Sequence, residues 1–267
     1  MKSPESQVVS MNFIRRDCND PFLDNGNPSN TRVPLEASEV AIINGEMLDP
    51  PARIDVEGFC RVSHATDVSA LLGSSDGIPA YRDSLQPFMK IFSGADEVVM
   101  YPNCLIRRQD YGSNPDRKNA ANYLHADMTA SGAQDMEKYL YSLSSNSCVK
   151  RVVHFNLWRL LSRGPTNLPL ALCDIRSVKS DDAIEGNAYF PAIDRTIGTG
   201  FFHPNEHFRF IYYPNLTSNE LLIFKQHDSD AIGPSSVPHG AFSDPSAPSD
   251  AEPRVSIEAR CIARWYH

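Results

Sequence analysis

The residues best suited to chemistry in this chain are His125 and Asp127, one residue apart, and His239 far downstream. Two imidazoles and one carboxylate compose a 2-His-1-carboxylate facial triad. Such a triad holds non-haem Fe(II) on one face and leaves the opposite positions open for a co-substrate and O2. In a strand, residues i and i+2 point to the same side, so His125 and Asp127 converge on one ion while Ala126 points away. The third ligand has to arrive from elsewhere in the chain, as in a barrel whose strands meet at one mouth. Each residue also has a purely structural reading. His125 could be a hydrogen-bonded core histidine, and Asp127 could cap a turn before Thr129.

The C-terminal context bears on the choice. His239 sits in Val237-Pro238-His239-Gly240-Ala241-Phe242, where proline restricts the backbone before it and glycine permits a turn after it. That suits a ligand at a strand end. Further on, alternation places Arg254, Ser256, Glu258 and Arg260 on one strand face and Val255, Ile257, Ala259 and Cys261 on the other. The polar face is either an outer surface in water or the lining of a barrel. In the second case Arg254 and Ser256 form a clamp for a carboxylate, because a guanidinium matches it with a planar bidentate fork.

The elements that must position these residues change character along the chain. Residues 1–35 are polar and rich in Asn, Asp and Pro, and read as an extended arm; residues 36–95 read as helical support. Within the latter, Thr66–Ser93 is the helical stretch, with Asp67 as a cap, Tyr81, Leu85, Phe88 and Phe92 on one face, and Gly94 as the stop. A second helix is expected over Gly132–Leu143. Strands are expected around 97–101, 104–107, 151–159, 169–174, 208–213, 221–225 and 254–265, separated by Gly and Pro turns. Ser243–Pro253 reads as an exposed insertion. Helices early and short strands later predict a mainly β fold with flanking helices, a barrel or sandwich. We expect one domain over 1–267, with the β core at 96–267.

The bulk numbers narrow the function. The chain has 267 residues, 41% of them hydrophobic, with 13 Phe and 10 Tyr, enough for a sizeable core. A formal charge of −8 argues against nucleic acid, which requires a basic face. No apolar run approaches the length of a membrane span, and the first ten residues hold no apolar signal core. The six cysteines show no CxxC spacing and are expected to be reduced thiols in a cytoplasmic protein. His203-Pro204-Asn205-Glu206-His207 fits the H-x-x-E-H zinc-protease pattern, but Pro204 and the following β-rich run argue for a turn entering a strand.

The ordered set of segments resembles a known family. Leu124-His125-Ala126-Asp127-Met128-Thr129, Phe155-Asn156-Leu157-Trp158-Arg159, Pro169-Leu170-Ala171-Leu172-Cys173-Asp174, Leu221-Leu222-Ile223-Phe224-Lys225, the His239 segment and the Arg254–Arg260 segment are similar to Fe(II)/2-oxoglutarate-dependent oxygenases. The likeness is to the mostly fungal group that includes gibberellin desaturase and aspergillic acid hydroxylase. It covers about residues 97–264. It implies a double-stranded β-helix (a cupin-like jelly roll), with Fe(II), 2-oxoglutarate and O2. It also implies hydroxylation, desaturation or ring closure of a small-molecule metabolite of secondary metabolism, with 2-oxoglutarate converted to succinate. Carried onto this chain, His125, Asp127 and His239 hold iron, and Arg254 with Ser256 binds 2-oxoglutarate. Arg260 is a rival for that role, and Asn156 and Arg159 fall near co-substrate or substrate. Tyr123, Phe155 and Phe242 either wall the site or pack in the core. Two other readings remain: an iron oxidase of the same fold that does not use 2-oxoglutarate, and a non-catalytic ligand-binding barrel. Substrate identity and oligomeric state are left open.

Overall fold

The computed structural model describes residues 5–73, 76–109, 118–119, 121–141 and 149–267. In chain order the first strands are β1 (Ser6–Ile14), β2 (Phe22–Asp24), β3 (Leu35–Asn44) and β4 (Phe59–Ser63). Helices α1 (Val68–Gly73) and α2 (Gly77–Ser93) follow, then β5 (Glu97–Met100), β6 (Leu105–Arg108), β7 (Lys118–Asn119) and β8 (His125–Ala126). After α3 (Ala130–Tyr141) come β9 (Val149–Leu160), β10 (Leu170–Cys173), β11 (Ala183–Phe190) and β12 (Arg195–Phe202). The chain closes with β13 (Phe210–Tyr212), β14 (Glu220–Asp228), β15 (His239–Ala241) and β16 (Val255–Tyr266).

These strands form two sheets. One runs β1-β3-β13-β10-β15-β8-β12-β11-β2; the other runs β4-β14-β9-β16-β6-β7, with β5 also paired to β16. Alternation along β10 shows how they are layered. Leu170 and Leu172 pack with Trp158, Leu222 and Phe224 of the other sheet, so these residues fill the space between the sheets. Ala171 and Cys173, on the opposite face, join Met11, Phe13, Ile42 and Phe210 in a separate cluster. The mainly β architecture with flanking helices is the expected one, and the facing sheets are the layers of a jelly roll.

The N-terminal segment departs from expectation. Ser6–Ile14 is no free arm: β1 pairs with β3 along its whole length. Its Asn12 also bridges to Tyr123, and the Leu124 N–H donates to Asn12 O at 2.9 Å. The first sheet therefore curls until β1 meets the segment leading into β8. Val9, Met11 and Phe13 supply the buried alternate positions of β1, a period-2 signal hidden between polar, proline-rich neighbours. Residues 36–95 likewise hold two strands besides their helices.

Helix α2 follows its pattern closely. Tyr81, Leu85 and Met89 are buried against β9, β14 and β16, with Phe88 and Phe92 packed beside them. Gly94 ends the helix in the left-handed region at φ 65°, where glycine has no Cβ penalty, and its N–H donates to Lys90 O. Asp67 Oδ1 accepts from the Ser69 and Ala70 amides and so caps α1. Helix α3 starts where Thr129 Oγ1 accepts from the Gly132 amide. Gly132 lets it lie against β12, since a Cβ there would meet Gly198 O at 2.5 Å. Leu143, expected on this helix, and Cys148 lie outside the described residues. His203 and His207 occupy the turn before β13, so the protease pattern has no helix to act from.

Candidate active site

The two histidines are brought together by strand pairing. β8 and β15 are antiparallel, with His125 directly opposite His239, and their rings lie 4.4 Å apart between centroids. Gly240 makes this approach possible. A Cβ there would sit 2.6 Å from Tyr123 O, and its φ is not positive. The glycine is therefore needed for close contact rather than for the turn expected from sequence.

Each imidazole is oriented by its own strand. His125 Nδ1 donates to Tyr123 O at 3.0 Å, and His239 Nδ1 donates to Val237 O at 3.0 Å. A carbonyl only accepts, so both Nδ1 atoms carry the proton and both Nε2 lone pairs stay available. Asp127 lies just past β8. Its Oδ1 is 3.7 Å from His125 Nε2, and its Oδ2 is 3.6 Å from His239 Nε2. These separations exceed a hydrogen bond, yet all three donor groups fall within 4.8 Å of one another. An ion about 2 Å from each donor fits such a set. Burial and the nearby His125 push His239 down to about 4, so it is neutral at physiological pH. For Asp127 burial acts upward, but Arg260 and the histidines outweigh it and hold the carboxyl well below its usual range. His239 and Asp127 thus stand in the protonation states that bind a divalent cation.

A supporting shell holds the carboxylate. Asn156 Nδ2 donates to Asp127 Oδ2 at 3.2 Å, Arg260 Nη2 to Oδ1 at 3.2 Å, and Gln226 Nε2 also to Oδ2. Sequence reasoning missed Gln226, which lies beyond the apolar run of β14. A bulge between Lys225 and His227 leaves it unpaired in the ladder and turns it and His227 to the same side. No local signal announces that bulge.

The polar face of β16 is interior, not a water-facing surface: Arg254, Ser256 and Glu258 are buried. Val255, Ile257, Ala259 and Cys261 on the other face pack with α2 and its neighbours. The Arg254 guanidinium stands 4.9 Å over the Trp158 ring, donates to Leu168 O at 3.0 Å, and reaches Ser256 Oγ at 3.3 Å. Among the described residues no carboxylate pairs with it. A narrow cleft, with about 270 Å³ of empty space including its mouth, joins Arg254 to His125 and His239, with Trp158, Leu170, Phe224 and Glu258 in its walls. Burial lowers Arg254 to about 10, which leaves it cationic.

Three expected neighbours are placed elsewhere. Arg159 is three residues from Asn156 and so on the opposite face of β9. It bonds Tyr81 Oη, His64 Nδ1 and the carbonyls of His64 and Ser218, a tie between α2 and the sheet edge rather than a site contact. Phe155 packs with Phe92 on that same outer face, and Phe242 lies in the cluster under β1. Of the three aromatics named from sequence, Tyr123 alone meets the site, 5.2 Å from the His125 ring. On the far side of Asp127 a second, wider pocket opens, with about 840 Å³ of empty space including its mouth. Arg260 lines this pocket and not the one containing Arg254.

Comparison with known proteins agrees with this geometry. Residues 11–264 match the family model described as "Oxidoreductase/YMDC permease-like domain". The chain belongs to this family. Among similar proteins is "Hydroxylase/desaturase CTB9" of Cercospora beticola, 27% identical over 94% of this chain and 83% of that one. Another is "Fe(II)/2-oxoglutarate-dependent dioxygenase nvfI" of Aspergillus novofumigatus, 27% identical over 74% of this chain and 69% of that one. The solved structure titled "iron and alpha-ketoglutarate-dependent endoperoxidase NvfI" superposes with a TM-score of 0.84 at 21% identity, covering 99% of this chain and 100% of that one. At that identity it shows a shared fold, the jelly roll anticipated from sequence. No described helix of this family member is long and apolar enough to cross a membrane.

Proposed function

We propose that this protein is a non-haem Fe(II)/2-oxoglutarate-dependent oxygenase acting on a small-molecule metabolite; relatives named as a hydroxylase/desaturase and as an Fe(II)/2-oxoglutarate-dependent dioxygenase support the reading. The observation that carries the reading is one arrangement: two imidazole Nε2 atoms and a carboxylate converge beside a cavity that also holds a buried arginine, which pairs with no carboxylate among the described residues. His125, Asp127 and His239 would hold the iron. Bound Fe(II) with 2-oxoglutarate and O2 would supply the oxidation of an unactivated C–H bond as 2-oxoglutarate loses CO2 to give succinate. The chain's own residues set the geometry. Arg254 and Ser256 would take the distal carboxylate of 2-oxoglutarate, and Trp158, Leu170 and Phe224 keep water from it. Asn156, Gln226 and Arg260 fix Asp127 in one rotamer. The wider pocket would receive the substrate.

Arg254 argues against an iron oxidase without 2-oxoglutarate, because it is a cation buried beside the two histidines and paired with no carboxylate among the described residues. A ligand-binding barrel has no need of three converging donors. We further assign the chain as one oxygenase domain of the cytosol. Five unpaired described cysteines support the reducing compartment.

An anaerobic titration with Fe(II) and then 2-oxoglutarate tests the proposal, read from the visible iron-to-keto-acid charge-transfer band. The band is expected in wild type and absent in His239→Ala. Iron bound without the band would favour the oxidase; no iron binding would favour the ligand-binding barrel.

A further inference from the structure

Arg260 uses only one of its three guanidinium nitrogens on the described residues. Its Nη2 makes both of its ion pairs, to Asp127 at 3.2 Å and to Glu258 at 2.9 Å. Among the described residues its buried Nε has no partner, and Nη1 makes no hydrogen bond. A buried donor left this way is costly, and this one lies on the wall of a pocket where a ligand could meet it. The ligand's location follows from the pocket that Arg260 lines. Met128, Met136, Ile193 and Ile197 make its walls apolar. Its other polar groups are already committed or uncharged: Asp127 belongs to the triad, Tyr101 Oη is bonded to His154 Nδ1 at 2.9 Å, and burial holds the Cys104 thiol up at about 11. Arg260 is the cation on that wall.

Charge points the same way. Among the described residues lining the two pockets, the guanidiniums of Arg107, Arg254 and Arg260 outnumber the carboxylates of Asp127 and Glu258 by one. Fe(II) and the 2-oxoglutarate dianion would cancel each other, so loading leaves this excess of positive charge in place.

We propose that Arg260 anchors the substrate, and that the substrate is a largely apolar molecule bearing an acceptor oxygen, a carboxylate in preference to a ketone. This inference rests on the oxygenase reading and adds the substrate class to it. Because the same guanidinium touches Asp127, the anchored oxygen lies within a few bonds of the carbon attacked. Hydrocarbons of equal size fit the walls but leave the buried donor unmet.

The test uses the enzyme loaded anaerobically with Fe(II) and saturating 2-oxoglutarate. Naphthoate, acetylnaphthalene and isopropylnaphthalene share one ring system and differ in the head group. Each is titrated while the charge-transfer band is followed and binding is measured by calorimetry. The band appearing before any probe is added secures the oxygenase reading by itself. Naphthoate is expected to bind wild type at least about tenfold tighter than isopropylnaphthalene, with acetylnaphthalene between. In Arg260→Gln the three affinities are expected to fall within about threefold of one another. If Arg260→Gln loses the band, Arg260→Lys is titrated instead; it keeps the charge but not the fork, and the gap is expected to narrow. Equal affinities in wild type, an unchanged ranking in the variant, or bleaching of the band by naphthoate as it displaces 2-oxoglutarate would each overturn the proposal.

Discussion

Removing the Arg254 guanidinium is the most searching perturbation of the co-substrate site. The side chain is buried, sits 4.9 Å over Trp158, and bonds Leu168 O and Ser256 Oγ, with no carboxylate partner among the described residues. Its pairing with a carboxylate would take place in a narrow, water-poor cavity, where truncating one member of a charge pair costs about 2–5 kcal/mol. At 1.4 kcal/mol per decade, Arg254→Gln should raise the Kd for 2-oxoglutarate by about thirtyfold or more. Arg254→Lys keeps the charge but loses the bidentate fork and should fall about tenfold short of wild type. The folded apoprotein should barely notice either change. An arginine buried without a counter-ion carries a desolvation cost that offsets its two neutral contacts, so Tm without ligands should stay within a few degrees. The assay is an anaerobic 2-oxoglutarate titration of the Fe(II) form at fixed ionic strength, with the unfolding temperature measured in parallel. A Kd in Arg254→Gln within threefold of wild type, or a large rise in Arg260→Gln with none in Arg254→Gln, would refute the assignment.

Other consequences follow from the same geometry. Gln226→Leu removes a donor from Asp127 without touching a metal ligand, and should weaken Fe(II) binding about 10- to 100-fold in a chelator competition. Gly240→Ala forces a Cβ to within 2.6 Å of Tyr123 O, whose carbonyl orients His125; Fe(II) affinity should fall by about tenfold or more, with stability also lowered. Asp228 tests the electrostatics away from the site. Burial acts upward on its carboxyl, but hydrogen bonds from Arg151 and Lys225 hold it at about 2. A folded pKa below the unfolded one stabilises the protein above the unfolded value, and that stability is lost as pH falls through about 2. Asp228→Asn should therefore cost about 1–2 kcal/mol at neutral pH, allowing for the partly exposed Arg151, in chemical denaturation. Its gap from wild type should close between about pH 4 and 2, and a gap that persists at pH 2 would mean that packing, not charge, sets the difference.

The amino-acid sequence determined the donor set. His125 and Asp127 share a side because the strand period is two, and the same period put Arg254, Ser256, Glu258 and Arg260 on one face of β16. It also determined the helix face of Tyr81 and Leu85 and its stop at Gly94, since these depend on neighbours only a turn away. What lay beyond its reach depended on long-range pairing. Whether the polar face of β16 met water or a cavity was settled by β9 and the opposing sheet. The pairing of β8 with β15 set His239 against His125, and a bulge in β14 supplied Gln226. Alternation alone would have put Arg159 on the outer face, but its hydrogen bonds to Tyr81, His64 and Ser218 come from segments far apart in the chain. The choice between Arg254 and Arg260 is of the same kind. Both share a strand face, and only the packing of Trp158, Phe224 and α3 around them divides that face between a narrow cavity at the histidines and a wide apolar pocket beside Asp127.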